Sequence, residues 1–167
     1  AGKLATESAR LEAEYPGKVL AIRTDVTKQE EVAELIRRAA DFGSGRIDLL
    51  FNNAGLGLLK SFDETTDADW KFAFDVNFYG ALYGIRAALP VMRAQGGGHI
   101  ANTASGIAYC HMPFQSMYSA TKAAVLGLTS SLRYELWDEN IRLSTIIPGT
   151  VATAIWEGKA PDFAITP

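Results

Sequence analysis

The feature that most constrains the fold of this chain is a regular alternation of short apolar segments with longer amphipathic ones. Four segments have the length and apolar content of buried strands: Val19 to Thr24, Ile47 to Phe51, His99 to Thr103 and Ile141 to Ile147. Helical patterns fill the stretches between them: residues 1 to 15 before the Pro16-Gly17 stop, a segment headed by the capping pattern Thr27 to Glu30, residues 66–69 to about 93, and residues 114 to 137. This alternation predicts an α/β fold, a doubly wound parallel sheet with helices on both faces and right-handed crossovers.

Polar or glycine-containing segments come directly after the predicted strands. These segments are Asp25-Val26, Asn52 to Gly55, Ser105 and Pro148-Gly149. Because parallel strands end at one edge of a sheet, and α/β proteins bind ligands at that edge, we expect the four segments to be neighbours in the folded chain. The sequence therefore predicts a binding site at the carboxyl edge of the sheet.

The composition is that of an ordinary globular domain and argues against several functions. With 48% hydrophobic and 21% charged residues, residues 1–167 are predicted to form a single domain. A net charge of -3 without Lys/Arg runs argues against a nucleic-acid partner. Cys110 is the single cysteine and no zinc-ligand spacing occurs, so we expect no bound metal and a reducing, cytoplasmic setting. No apolar run reaches the ~20 residues that span a bilayer, so no membrane association is expected.

Tyr118 and Lys122, in the stretch "YSATK", are four residues apart within a predicted helix. Positions i and i+4 share one face of a helix, so the phenol and the ammonium would lie within reach of each other. An ammonium ~4 Å from a phenol is worth roughly 4 kcal/mol at an effective dielectric of ~20, or about three pKa units. The spacing therefore predicts that the pKa of Tyr118 is lowered toward neutrality, where acid/base exchange is efficient.

Taken together, these motifs resemble those of the short-chain dehydrogenase/reductase family over nearly the whole chain. The matching features are "DV" at 25–26, "NNAG" at 52–55, Asn77 in "DVNFYG", Ser105, "YSATK" at 118–122 and "PGTVAT" at 148–153. Ser105 precedes Tyr118 by thirteen residues, as in that family. The resemblance implies a Rossmann-type fold and an NAD(P)-dependent oxidoreductase that acts on an alcohol or carbonyl substrate.

The resemblance also implies a role for individual residues. Tyr118 would be the general acid/base, Ser105 would hydrogen-bond the substrate oxygen, and Asn77 would hold a water that links the lysine to solvent. The implied catalytic residues are Asn77, Ser105, Tyr118 and Lys122. The implied cofactor-binding residues are Asp25, Val26, Asn53, Ala54, Gly55, Tyr118, Lys122, Pro148, Gly149, Val151 and Thr153. Both NAD and NADP remain open as the cofactor, and the substrate is not specified.

Parts of the family pattern have no counterpart in the sequence. The family begins with a strand and a glycine-rich turn that holds the cofactor pyrophosphate, and neither Gly43 to Gly45 nor Gly96 to Gly98 matches this turn. The second strand, which distinguishes NAD from NADP, and the substrate-covering region after Pro167 are also missing. We therefore expect the chain to be an internal piece of a longer protein, truncated at both ends.

Alternative interpretations concern the function and two residues near Tyr118. A noncatalytic scaffold or ligand sensor on the same fold is the alternative function, although the complete set of four catalytic residues favours an enzyme. Epimerase-type relatives share the Tyr/Lys pair but are disfavoured by "NNAG" and by the thirteen-residue interval. Cys110 and His111 fall where the family has substrate-pocket walls, yet a lone thiol and a lone histidine are more often ordinary packing or surface residues.

The resemblance further implies self-association. In the family, the counterparts of the helices near 67–93 and 114–137 pair between subunits. By this analogy we expect a homodimer or homotetramer.

Overall fold

A computed structural model describes residues 2–149, and its centre is a three-stranded parallel sheet. The strands are β1 (Leu49–Asn52), β2 (Gly98–Thr103) and β3 (Ile141–Ile146), in the spatial order β1-β2-β3. The register places Ile100 opposite Leu50 in β1 and opposite Leu143 in β3. The parallel sheet confirms the predicted α/β fold class.

The described residues also form five α-helices. They are α1 (Gly2–Glu14), α2 (Gln29–Phe42), α3 (Asp67–Phe74), α4 (Gly80–Ala94) and α5 (Ser116–Glu135). Because side chains alternate across a strand, Leu50, Ile100 and Leu143 project from the same face of the sheet. Apolar side chains of α2, α4 and α5 pack against this face and form the hydrophobic core: Ile36, Ala40, Ile85, Ala88, Met92, Leu128 and Leu132. No helix within residues 2–149 has the length and apolar content needed to cross a membrane.

The opposite face of the sheet is open in the described part of the chain. Leu49 is 58% exposed and Phe51 is 52% exposed, although both are large apolar side chains. Helix α1 buries none of its residues. Helices therefore cover one face of the sheet, and the described residues do not supply the second helical layer that the sequence predicts.

The predicted strand from Val19 to Thr24 does not form within the described structure. A β-strand exists through its ladder of hydrogen bonds to a neighbouring strand. β1 pairs with β2 alone, and none of the three described strands pairs with this segment. The segment has the apolar pattern of a strand, but a strand also needs a partner beside it.

The predicted capping pattern at the start of α2 is wrong in detail. The N-cap of α2 is Lys28, and its side chain makes no capping hydrogen bond. The Thr27 hydroxyl instead donates to Asp25 Oδ1 at 2.7 Å, and the Thr27 amide donates to the same oxygen at 3.0 Å. The Asp25 carboxylate is a charged acceptor two residues earlier, so it holds Thr27 in a turn before the helix begins.

The long helix predicted to run from residues 66–69 to about 93 forms as three consecutive parts. Helix α3 is capped by Thr66, whose hydroxyl accepts from the Asp69 amide at 3.2 Å. It continues into a π-helical segment, Asp75–Tyr79, and then into α4. The π-helical segment carries Asn77, which is 3% exposed. Segments of this kind occur frequently at functional sites.

Candidate active site

The carboxyl ends of the three strands meet at one edge of the sheet. Just beyond β1, Asn53 accepts a hydrogen bond from the hydroxyl of Thr103, the last residue of β2, at 3.0 Å. Just beyond β3, the Pro148 carbonyl accepts from the amide of Gly106, the residue after Ser105, at 3.2 Å. The structure thus brings together the segments that follow the strands, and α5 and the π-helical segment complete the site.

Lys122 is the one charged side chain that residues 2–149 bury, with 3% of its surface exposed. Its Nζ donates to the Thr103 carbonyl at 2.8 Å and lies 5.7 Å from the centroid of the Tyr118 ring. Burial lowers the pKa of Lys122 from 10.5 to about 8, because desolvation disfavours the charged form of an amine. The site therefore contains an amine that titrates much closer to neutrality than an ordinary lysine does.

Tyr118 is 7% exposed, and its phenol is hydrogen-bonded to the Ser105 side chain. Burial raises the pKa of Tyr118, and the hydrogen bond to Ser105 opposes this effect without reversing it. The predicted lowering of the phenol pKa by Lys122 is therefore wrong for this structure. The Lys122 ammonium lies 5.7 Å from the centroid of the Tyr118 ring and donates to the Thr103 carbonyl, so the i, i+4 spacing alone does not offset the effect of burial on the phenol.

Asn77 joins the π-helical segment to two other parts of the site. Its Oδ1 accepts from the Leu56 amide at 2.8 Å, and its Nδ2 donates to the Leu56 carbonyl at 3.0 Å. The same Nδ2 donates to the Thr121 hydroxyl in α5 at 3.0 Å. The amide side chain therefore connects the loop after β1 to the helix that carries Tyr118 and Lys122.

Gly55 leaves space between two polar groups of the site. A Cβ atom at this position would lie 3.3 Å from Asn77 Oδ1 and 3.4 Å from Lys122 Nζ. The first contact would be tight and the second an ordinary van der Waals contact, so the absence of a side chain keeps the backbone open beside both groups. Gly55 is exposed, and a ligand can therefore approach its backbone closely.

The predicted adenine-side residues lie at the start of α2 and beside α4. Asp25 is exposed, and its hydrogen bonds from Thr27 hold the pKa of the carboxyl below its usual value. Val26 packs against Gly80, where a Cβ atom would lie 3.1 Å from the Cβ of Val26. A cavity of about 180 Å³ extends from this contact to the candidate site. Its lining includes Val26, Asn53, Ala54, Asn77, Gly80 and Thr103.

The remaining predicted cofactor-binding residues are Pro148, Gly149, Val151 and Thr153. Pro148 contacts the segment that carries Ser105 through its carbonyl, and Gly149 is exposed. Val151 and Thr153 lie outside the described residues. Within residues 2–149, no group of three or more His, Cys, Asp or Glu side chains is arranged to hold a metal ion.

The sequence motifs did not identify two residues that hold the site together, Thr121 and Thr103. Thr121 looks like a spacer within "YSATK", yet it is fully buried and hydrogen-bonded to Asn77. Thr103 supplies the carbonyl that binds Lys122. Its position at the end of a predicted strand was a usable signal for a backbone acceptor at the site, whereas no sequence pattern singles out the hydroxyl of Thr121. Cys110 is exposed, and His111 Nδ1 lies 2.9 Å from the Ile107 carbonyl.

These observations first define a class: an α/β protein whose parallel sheet carries a buried amine, a phenol and a hydroxyl at its carboxyl edge. The sequence also matches the short chain dehydrogenase family over residues 1–163, and the chain belongs to that family.

Its relatives include proteins from several bacteria. The chain is 44% identical over 136 residues to an uncharacterized oxidoreductase of Staphylococcus saprophyticus, covering 80% of this chain and 54% of that protein. It is 34% identical over 150 residues to the D-beta-hydroxybutyrate dehydrogenase of Rhizobium meliloti, covering 90% of this chain and 58% of that protein. The chain therefore spans little more than half the length of these relatives.

Solved structures show the same fold. A short chain dehydrogenase/reductase from Burkholderia phymatum in complex with NAD has a TM-score of 0.87 and 35% identity, covering 92% of this chain and 55% of that one. ElxO with NADP bound has a TM-score of 0.81 and 30% identity, covering 88% of this chain and 59% of that one. These similarities support the Rossmann-type arrangement of the described strands and helices.

Proposed function

We propose that this chain is the catalytic part of an NAD(P)-dependent oxidoreductase that interconverts a carbonyl compound and an alcohol, with Tyr118 as the general acid/base. The observation that carries the proposal is the cluster formed by the Tyr118 phenol, its hydrogen-bonding partner Ser105 and the buried amine of Lys122. This cluster lies beside the open backbone of Gly55. Buried titratable groups with shifted pKa values next to an accessible edge are typical of catalytic sites.

The residues of the site fit a nicotinamide dinucleotide. Gly55 provides backbone that a ligand can approach, and Lys122 provides a cation beside it. Val26 and Asn53 line the cavity that continues from this point, which suits the adenosine side of the cofactor. Two relatives of known structure contain NAD and NADP respectively, so either cofactor is compatible with the family. When bound in its reduced form, the cofactor would supply the hydride that reduces the carbonyl carbon.

The protein's own groups would deliver the proton. The Ser105 and Tyr118 hydroxyls are adjacent, so both can hydrogen-bond one substrate oxygen. As that oxygen gains negative charge, the O–H bond of Tyr118 breaks and its proton forms the new alcohol O–H bond. The raised pKa of Tyr118 keeps the phenol protonated at neutral pH, which suits proton donation in the reductive direction.

Lys122 and Asn77 would support this transfer. The Lys122 ammonium lies close enough to stabilise the phenolate that remains after proton transfer, and its pKa of about 8 lets it exchange protons near neutrality. Asn77 uses both its Oδ1 and its Nδ2 in hydrogen bonds to protein groups. A water linked to Asn77 would therefore bind at the second lone pair of Oδ1 or at the backbone.

The experiment that tests the function uses the complete protein with NADH and NADPH. Fluorescence titration reports binding of each dinucleotide, and loss of absorbance at the reduced nicotinamide reports turnover. Because one relative is a D-beta-hydroxybutyrate dehydrogenase, the carbonyl panel should include acetoacetate, its neutral ethyl ester and an unrelated cyclic ketone. We expect one dinucleotide to bind and at least one ketone to be reduced. Dinucleotide binding without turnover of any ketone would favour a noncatalytic sensor instead.

We also propose that the complete protein forms a homodimer or homotetramer. Large apolar side chains are exposed along the α3–α4 region and at the end of α5: Phe72, Tyr79, Tyr134 and Trp137. Covering such surface with a second copy of the chain would remove it from water. Sedimentation of the complete protein at a single monomer mass would contradict this assembly.

A further inference from the structure

A buried hydroxyl next to the proposed catalytic residues joins the two elements that carry them. Thr121 lies between Tyr118 and Lys122 in α5 and is 0% exposed. Its Oγ1 accepts from Asn77 Nδ2 at 3.0 Å and donates to the Tyr118 carbonyl at 2.8 Å. We propose that Thr121 is a positioning residue that fixes the Asn77 side chain and, through it, the surroundings of the Lys122 amine, an inference that rests on the proposed function.

The directions of these hydrogen bonds follow from the chemistry of the partners. The Leu56 amide can only donate, so the Asn77 atom that faces it at 2.8 Å is Oδ1. Nδ2 must then face the Leu56 carbonyl and the Thr121 oxygen, each at 3.0 Å. Thr121 therefore accepts from Asn77, and its own proton goes to the Tyr118 carbonyl. A reversed Asn77 amide would place donor against donor at Leu56.

The fixed amide matters because its oxygen and the Lys122 amine face the same space beside Gly55. Asn77 Oδ1 and Lys122 Nζ are both within 3.4 Å of the point that a Cβ of Gly55 would occupy. The bond network that ends at Thr121 therefore fixes the negative end of the amide dipole on the side of the site that holds the lysine. Without the Thr121 hydroxyl, one Nδ2 hydrogen is left without its buried acceptor, and the amide loses part of what fixes its orientation.

The same helix contains a matched control. Thr129 is also 0% exposed, donates to a carbonyl of its own helix at 2.7 Å, and accepts from the Nδ2 of an asparagine, Asn102, at 2.9 Å. Asn102 lies in β2, where it also accepts from Asn52 at 2.8 Å. Thr129 therefore makes equivalent bonds in the interior of the protein, two helical turns from the candidate site.

The test compares Thr121→Val, Thr121→Ser and Thr129→Val in the complete protein. Nuclear magnetic resonance of isotope-labelled lysine follows the titration of the Lys122 amine directly, and Lys122→Arg identifies its signal. We expect Thr121→Val to lower the pKa of Lys122 by at least roughly half a unit, because the negative end of the Asn77 amide dipole is no longer fixed in the site that holds the ammonium. Thr121→Ser should restore the titration, and Thr129→Val should leave it unchanged.

A kinetic readout accompanies the titration, with ethyl acetoacetate and the reduced cofactor that binds more tightly. We expect Thr121→Val to lower kcat about tenfold and to change the KM values less than about twofold, since misplacement acts mainly on the chemical step. If Thr121→Val does not fold, Thr121→Ala takes its place. An unmoved Lys122 titration in these variants, or an equal shift in Thr129→Val, would overturn the positioning role. Because the titration needs no turnover, failure of the proposed reaction is distinguished from failure of this inference.

Discussion

The two ends of α5 bury side chains of different chemistry. Near its start, the helix buries Tyr118, Thr121 and Lys122, including an amine whose pKa is lowered to about 8 by burial. Near its end, Leu132 and Leu136 join the apolar core beneath the sheet. Burying a charge opposes folding, whereas burying leucine favours it. The proposed chemistry would explain the residues buried at the start of the helix, whereas packing explains those at its end.

The largest expected effect of a change at the start of the helix is that of Tyr118→Phe. This substitution removes the proton that the proposed mechanism transfers but keeps the ring, so kcat should fall by about 10³-fold. Dinucleotide affinity and unfolding by urea should change little. Steady-state kinetics and a urea titration on the same preparation test both expectations.

The control for this substitution is Tyr134→Phe, which changes an 80% exposed tyrosine of the same helix. It should keep the wild-type kcat. Full activity of Tyr118→Phe would contradict the acid/base role. A loss of stability large enough to explain the lost activity would mean that Tyr118, like the residues at the end of α5, is required for packing.

A change at the end of the helix should have the opposite signature. Leu136 is 4% exposed and belongs to the core, so Leu136→Ala should lower the free energy of unfolding by ~2–5 kcal/mol. The activity per folded molecule should remain at the wild-type level, because the core cluster that contains Leu136 includes none of the proposed site residues. Urea unfolding and activity normalised to the folded fraction are the two measurements.

The neighbouring residue provides the control here. Trp137 is 74% exposed, so Trp137→Ala removes a larger side chain at a much smaller cost to monomer stability. If Leu136→Ala were to lower kcat of the folded enzyme as strongly as Tyr118→Phe does, packing and chemistry would not be separable along α5.

Sequence patterns were sufficient to predict the elements whose determinants are local. The periodicity of residues 114–137 predicts α5, and the apolar runs at 99–103 and 141–147 predict β2 and β3. In each of these cases, the local pattern determines the element. The meeting of Ser105 and Tyr118, which the structure hydrogen-bonds, was instead implied by the family resemblance.

Other features depend on partners that a local pattern cannot specify. The segment from Val19 to Thr24 has the composition of a strand, but pairing requires a neighbour. The π-helical segment at Asp75–Tyr79 has no composition that distinguishes it from a regular helix, so the resemblance predicts Asn77 as a site residue but not the π-helical turn that carries it. The i, i+4 spacing brings Lys122 near Tyr118, but it does not determine how deeply the phenol is buried, and burial raises its pKa.

The smallest expected effect concerns the buried amine and the pH dependence of stability. In the unfolded chain Lys122 has the ordinary pKa of 10.5, and in the folded chain about 8. Between these values the unfolded state binds more protons, so the free energy of unfolding rises with pH through this window. From pH 7.5 to pH 9.5 the contribution of Lys122 should be about 2 kcal/mol. Burial raises the pKa of Tyr118 above 10, so the loss of stability linked to that group begins above this range.

Urea unfolding of the wild type, Lys122→Met and Lys18→Met between pH 7.5 and 9.5 measures this contribution. Lys18 is exposed, so its replacement should keep the wild-type rise, whereas Lys122→Met should lose it. At pH 7.5 Lys122→Met should be at least as stable as the wild type, since it no longer buries an ammonium. An identical rise in all three proteins would mean that Lys122 is hydrated in solution. A rise confined to the proteins that keep Lys122 would show that the start of α5 retains a charged group that folding disfavours, as the proposed catalytic role of Lys122 would require.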